Sequence, residues 1–148
     1  MRFVKRVVFD TSTLIGALLL PNSVPRRAFN AALAQCEMCA SEATLAELES
    51  VIGCAKFDRY LDRATRRAFF DQVSRQMRLF AVADEDEARL PRTCRDPRDN
   101  KFLALVLTCD ADVLVSSDAD LVSMDPYEGV AVMIAADFLA QSTKPHDK

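Results

Sequence analysis

Four acidic residues of this chain fall at the ends or along the edges of apolar segments, where a carboxylate is costly unless something uses it. Asp10 ends the run RVVFD, whose β-branched and apolar residues read as a fully buried strand. A carboxylate left dry and unpaired at such a place costs several kcal/mol, so Asp10 needs a structural partner, a metal or a reaction to serve. Asp118 ends DVLVSSD in the same way, Asp99 opens the apolar stretch of RDPRDNKFLALVL, and Glu47 lies in EATLAELESVI. Functional sites of open parallel sheets form at the carboxyl ends of the strands, so Asp10 and Asp118 meet if their strands lie near one another. The start of the helix carrying Asp99 then faces the same edge. Four converging carboxylates make an all-oxygen ligand set, which favours a hard cation, Mg²⁺ or Mn²⁺.

Each acid also has a plain structural role open to it. Asp96-Pro97-Arg98-Asp99 has the form of a helix cap, a proline at the first position and an acid at the third, so Asp99 alone reads as a capping residue. Asp118 can cap a short helix over 119–124. Glu47 and Glu49 sit at opposite edges of the stripe Leu45, Leu48, Val51 and Ile52, and helical periodicity does not choose between them. Asp10 is the hardest of the four to explain structurally, because its strand is so apolar.

The elements that must position these residues alternate along the chain. A strand over 3–9 is followed by a helix broken at Pro21 and Asn22, and a second helix covers 26–35. A short strand at Met38–Ala40 leads to Ser41, an N-cap for a helix ending near Gly53. Residues 58–80 read as a charged helix, 80–83 as a strand, and the acidic segment after it as a loop. A buried helix then follows DPRDN, with DVLVSS and VAVMIA as strands and DADLVSM and ADFLAQS as helices. Strands alternating with helices predict a mostly parallel sheet covered on both faces, a three-layer α/β/α domain spanning residues 1–141 with a flexible tail at 142–148.

Composition narrows the chemistry. With 148 residues, 50% of them hydrophobic, the chain suits one domain with a real core. Five cysteines without disulfide-like spacing fit reduced thiols and a cytoplasmic setting, and CEMC at 36–39 has no second pair to complete a zinc site. The uncharged run LIGALLL is too short to span a bilayer. Three glycines leave no room for a Walker loop or a dinucleotide fingerprint. The single histidine, His146, lies in the polar tail, so acid–base work falls to carboxylates, hydroxyls or metal-bound water.

The order VVFDTS, LAELE, RDPRDNKFLAL and LVSSDADL resembles the PIN-domain ribonucleases, specifically the VapC-like toxins of bacterial and archaeal toxin–antitoxin pairs, over residues 6–140. The resemblance implies a Mg²⁺- or Mn²⁺-dependent ribonuclease whose acidic site falls on Asp10, Glu47, Asp99 and Asp118, with Asp120 as an accessory and Ser116 as the hydroxyl before the last motif acid. Asp10, Asp99 and Asp118 are then the expected metal ligands, and Glu47 a ligand of a second metal or a base that orients water. Where such proteins often carry Asn two residues after the first Asp, this chain has Ser12, whose hydroxyl can still orient a carboxylate or a water. The resemblance also implies an RNA substrate, a small antitoxin covering the acidic groove, and a homodimer. It prefers Glu47 over Glu49.

Charge agrees with that reading. With the four site acids set aside, the net charge of −3 becomes +1. Arg26, Arg27, Lys56, Arg59, Arg63, Arg66, Arg67, Arg95, Arg98 and Lys101 are then available to phosphates, although more than half should be solvated helix faces paired with Asp58, Asp62 and Asp71. Phe57 and Tyr60 offer faces for bases or for the core. The alternatives are a PIN-like module that binds RNA or a partner without cutting, and a haloacid-dehalogenase-type phosphatase. The latter needs a second Asp where Ser12 stands and a lysine better placed than Lys101.

Overall fold

The computed structural model describes residues 4–142. Along them run β1 (Arg6–Phe9), α1 (Thr11–Leu19), α2 (Val24–Gln35), β2 (Glu37–Ser41), α3 (Glu42–Ile52), α4 (Arg63–Gln76), β3 (Arg78–Phe80), α5 (Asp84–Ala88), α6 (Asn100–Thr108), β4 (Val113–Val115), α7 (Ala119–Val122), β5 (Ala131–Met133) and α8 (Ala135–Ser142). Short 3-10 turns at Ala55–Phe57 and Pro97–Asp99 precede α4 and α6. The five strands form one parallel sheet in the order β3-β2-β1-β4-β5. Ser142, the first residue of the expected tail, ends α8, and the rest of that tail, with His146, lies outside the described residues. Among the described residues, no helix is long and apolar enough to cross a membrane.

The two-residue period of the strands divides the core into two layers. Val7 and Phe9 of β1, Met38 of β2, and Val113 and Val115 of β4 meet α1, α2, α3, α4 and α8 on one face. Val8, Cys39, Leu114 and Val132 face the other way, against α6 and Leu121 of α7. On the first face Phe9 packs edge-on against Phe29 and Phe138, with centroids 6.2 and 5.9 Å away. On the second, α6 presents Phe102 through Val106 entirely buried, which explains why that segment is apolar all round. The three-layer α/β/α architecture is therefore the one observed.

Several element ends differ by a few residues from the sequence reading, β1 starting at Arg6 and β4 ending at Val115 among them, and three departures are larger. The third strand occupies Arg78–Phe80 rather than 80–83, because parallel pairing with β2 sets Cys39 opposite Arg78 and Ser41 opposite Phe80. The acidic segment after it winds into α5, with Asp86 accepting from the Ala83 backbone N–H at 2.9 Å. The charged helix begins at Arg63, capped by Asp62, which accepts from Thr65 N at 2.7 Å. Ser41 does cap α3: its hydroxyl accepts from Thr44 N at 3.2 Å while the Ser41 N–H donates to Thr44 Oγ1 at 2.9 Å.

Arg66 is also corrected. It is fully buried, donating to the carbonyls of Ile52 (2.6 Å), Cys54 (3.0 Å) and Leu61 (3.0 Å) and pairing with Asp58. It satisfies the carbonyl end of α3 and the turn beyond it, where helices leave acceptors without partners, and is unavailable to a phosphate.

Candidate active site

Strand order creates the site. From β1 the chain proceeds outward through β2 to β3, then returns to the other side of β1 for β4 and β5. The β1–β4 boundary is thus the topological switch point, where a crevice opens at the carboxyl ends of the strands. Phe9 and Val115 are register partners, so the next residues, Asp10 and Ser116, leave the sheet side by side. The Ser116 hydroxyl donates to Asp10 Oδ2 at 2.5 Å and accepts from the Asp118 backbone N–H at 2.9 Å. One buried serine therefore fixes both acids. Asp10 also caps α1, accepting from Thr13 N at 2.9 Å, and takes a longer bond of 3.2 Å from Ser12 Oγ. The Ser12 hydroxyl in turn shares a 2.6 Å hydrogen bond with Ser117.

Asp10, Glu47, Asp99 and Asp118 line a single cleft of about 370 Å³. Asp10 is only 3% exposed, and burial raises its pKa against the opposing hydrogen bonds from Ser116, Thr13 and Ser12. Asp99 is pushed up to about 7, first by burial and then by Asp118 facing it, with Asp96 and Asp10 adding repulsion. Its Oδ2 is buried without a hydrogen-bond partner. The capping role open to Asp99 in the sequence is filled by Asp96, which accepts from Arg98 N at 3.0 Å, and Asp99 makes no cap hydrogen bond. Asp118 does cap the short α7, accepting from Asp120 N at 2.9 Å.

Glu47 reaches the cleft from α3, across from the aspartates. Its Oε1 accepts from the Thr11 hydroxyl at 2.9 Å and lies 3.5 Å from Lys101 Nζ. Glu49 points to α4 instead, where Arg67 holds it at 2.6 Å. Asp120 does not line the cleft; it contributes its backbone N–H to Asp118. Of the cationic residues considered for phosphate, Lys56 and Arg98 line the cleft, the latter paired with Asp96 at 2.8 Å. Arg26 donates to the Ala17 carbonyl at 3.1 Å, and Arg67 is shared between Glu49 and Asp71. Phe57 lines the cleft; Tyr60 is 63% exposed and does not.

Thr11 was not singled out from the sequence. Its only signal there is a hydroxyl directly after the strand-terminal Asp, and nothing local says that it faces α3. The pairing of Lys101 with Glu47 is equally a matter of how α6 packs near α3.

Asp10, Asp99 and Asp118 suit a divalent cation. They are carboxylates around one cavity, one of their oxygens is buried without a donor, and mutual repulsion is what a cation would relieve. Among the described residues, no three acidic, histidine or cysteine side chains are already gathered into a metal cluster. The two cysteines of CEMC lie in different core layers, Cys36 at the end of α2 against one and Cys39 of β2 within the other.

Residues 6–120 match the PIN domain family. The fold is also that of several solved structures. One is VapBC2 of Rickettsia felis bound to a promoter DNA fragment, at TM-score 0.62 and 9% identity, over 86% of this chain and 96% of that one. PAE2754 of Pyrobaculum aerophilum gives 0.63 and 14%, over 94% and 89%. VapC20 of Mycobacterium tuberculosis, a toxin that cleaves the sarcin-ricin loop, gives 0.55 and 16%, over 84% and 98%. Among curated proteins, none matches the chain in sequence. The motif-bearing segments lie almost wholly within the matched residues, and the switch-point crevice of the shared fold is where the acids gather: this chain belongs to the PIN-domain family.

Proposed function

We propose that this protein is a divalent-metal-dependent ribonuclease and the toxin of a toxin–antitoxin pair, acting in the cytoplasm. The observation that carries the reading is Asp99. A carboxylate held near pH 7 by burial and a facing carboxylate, with a buried oxygen that nothing hydrogen-bonds, is destabilised for no structural return. Support also comes from the fold shared with VapC20, a sarcin-ricin-loop-cleaving toxin, and with VapBC2.

Asp10, Asp99 and Asp118 would hold a Mg²⁺ or Mn²⁺ ion. When bound, such an ion lowers the pKa of water and neutralises charge on a phosphodiester. The chain's own groups do the rest. Ser116 holds Asp10 through its hydroxyl and the start of α7 through the Asp118 N–H, so the two ligands cannot drift independently. Thr11 orients Glu47 through Oε1, leaving Oε2 to accept a proton from the attacking water. Lys56 and Arg98 stand at the cleft to receive phosphates of the RNA on either side. An antitoxin that silences such a cleft should present a cation to the aspartates, most simply an arginine in place of the metal. A homodimer is part of the same proposal.

The test is cleavage of single-stranded RNA by the purified chain with Mg²⁺ or Mn²⁺, and again after exhaustive chelation. Metal-dependent cleavage supports the reading, and cleavage that survives chelation refutes the metal mechanism. A folded protein that binds RNA and never cuts it is the non-catalytic module instead.

A further inference from the structure

Glu47 differs from the three aspartates in having a cation already beside it. Among the described residues, Lys101 is the only basic group within ion-pair distance of any of the four site acids, with Nζ 3.5 Å from Glu47 Oε1. The ammonium is anchored rather than free. It also donates to the Arg98 carbonyl, and that carbonyl belongs to the 3-10 turn capped by Asp96. The lysine side chain is 20% exposed. Thr11 occupies the same Glu47 oxygen from the α1 side at 2.9 Å. The aspartate side has no counterpart: hydroxyls and backbone N–H groups reach Asp10 and Asp118, and nothing reaches Asp99 Oδ2.

A second divalent ion at Glu47 would have to share that place with an ammonium, and the repulsion is strong at such range in a partly enclosed cleft. We infer that Lys101 stands in for a second metal ion at Glu47. The cleft therefore loads a single divalent ion, on Asp10, Asp99 and Asp118, while Glu47 stays free of metal to take a proton. Lys101 is a positioning residue: it acts through Glu47 and touches neither substrate nor ion. The inference deepens the ribonuclease reading of the same cleft and rests on it.

The experiment counts Mn²⁺ ions bound per chain, by the loss of the free-ion electron paramagnetic resonance signal, with RNA cleavage measured separately. Wild type should bind one ion, Lys101→Met two, and Lys101→Arg one, because arginine restores the fixed charge. Wild type binding two ions, or Lys101→Met binding one, overturns the inference. Should Lys101→Met fail to fold, Glu47→Gln decides: Mn²⁺ affinity within about twofold of wild type upholds a metal-free Glu47, and a loss of about tenfold or more makes it a ligand and overturns the inference. The ion count does not depend on RNA. Wild type that binds one ion but cuts no RNA refutes the ribonuclease reading alone, and wild type that binds no ion refutes both.

Discussion

At the amino end of the sheet, Glu37 accepts from Arg6 at 2.8 Å and from Arg78 at 3.0 Å. The Arg6 guanidinium also reaches the Cys109 carbonyl at 2.8 Å, and Asp112 accepts from the backbone N–H groups of Lys5 and Arg6 at 2.8 and 3.1 Å. These bonds, Arg78 first and then Arg6, hold the Glu37 carboxyl below the usual range. At the carboxyl end, burial and Asp118 push Asp99 the opposite way, up to about 7. The residue types are alike and the treatment is opposite. Acids that serve the fold are matched to cations and donors until the charged form is preferred. The acids proposed to serve a reaction are crowded together, so that only something from outside would complete them.

The comparison breaks most visibly at Asp10. If the proposed metal site is right, Asp10→Asn should lower RNA cleavage at least about a thousandfold, because one of its ligands is lost. An asparagine still caps α1 well, so the melting temperature in EDTA should hold or rise. A large fall in that melt would show Asp10 to be a structural acid like Glu37.

Ser116→Ala comes next. It removes the donor to Asp10 and the acceptor of the Asp118 N–H together, and should cost about ten- to a hundredfold in cleavage. The buried groups left without partners should lower stability by about 1–3 kcal/mol in urea unfolding. Cleavage at the wild-type level would mean that Asp10 and Asp118 need no shared support.

Asp99 sharpens the comparison through pH. Its folded-state value of about 7 lies above its ordinary 3.8, so the folded protein holds that proton more tightly than the unfolded chain does. The stabilisation is complete below the ordinary value and is lost as pH rises through about 7. In the metal-free protein, Asp99→Asn should therefore gain melting temperature relative to wild type on going from about pH 5 to about pH 8. No pH dependence in that difference would show that Asp118 and burial do not strain Asp99.

The smallest effect belongs to the amino end. Glu37→Gln should leave cleavage unchanged and lower the melting temperature slightly, since it weakens two partly exposed ion pairs. Lost cleavage in that variant would mean that the two ends of the sheet are coupled, and the contrast drawn between them would fail.

Much of this was legible in the sequence because it depends on neighbours along the chain. Asp10, directly after β1, and Asp118, three residues past β4, stand out against apolar runs, α6 is apolar all round, and Ser41 announces α3 by capping. The boundaries that went astray, β3 and the start of α4, are those set by pairing and capping partners rather than by composition.

Alternation of strands and helices determined the layered fold by itself, because a two-residue and a 3.6-residue period each present an apolar face that must be covered. Tertiary structure alone decided what those faces bring together. Glu47 and Glu49 differ by about 200° around one helix, and only packing beside α1 and α6 turns the first to Thr11 and Lys101 while α4 takes the second. The same holds for Asp99, released from its capping role by Asp96, and for Arg66, drawn inward by the carbonyls at the end of α3. A side chain's partner is chosen among groups distant in the chain, and their approach follows from burying whole helix faces rather than from any local preference.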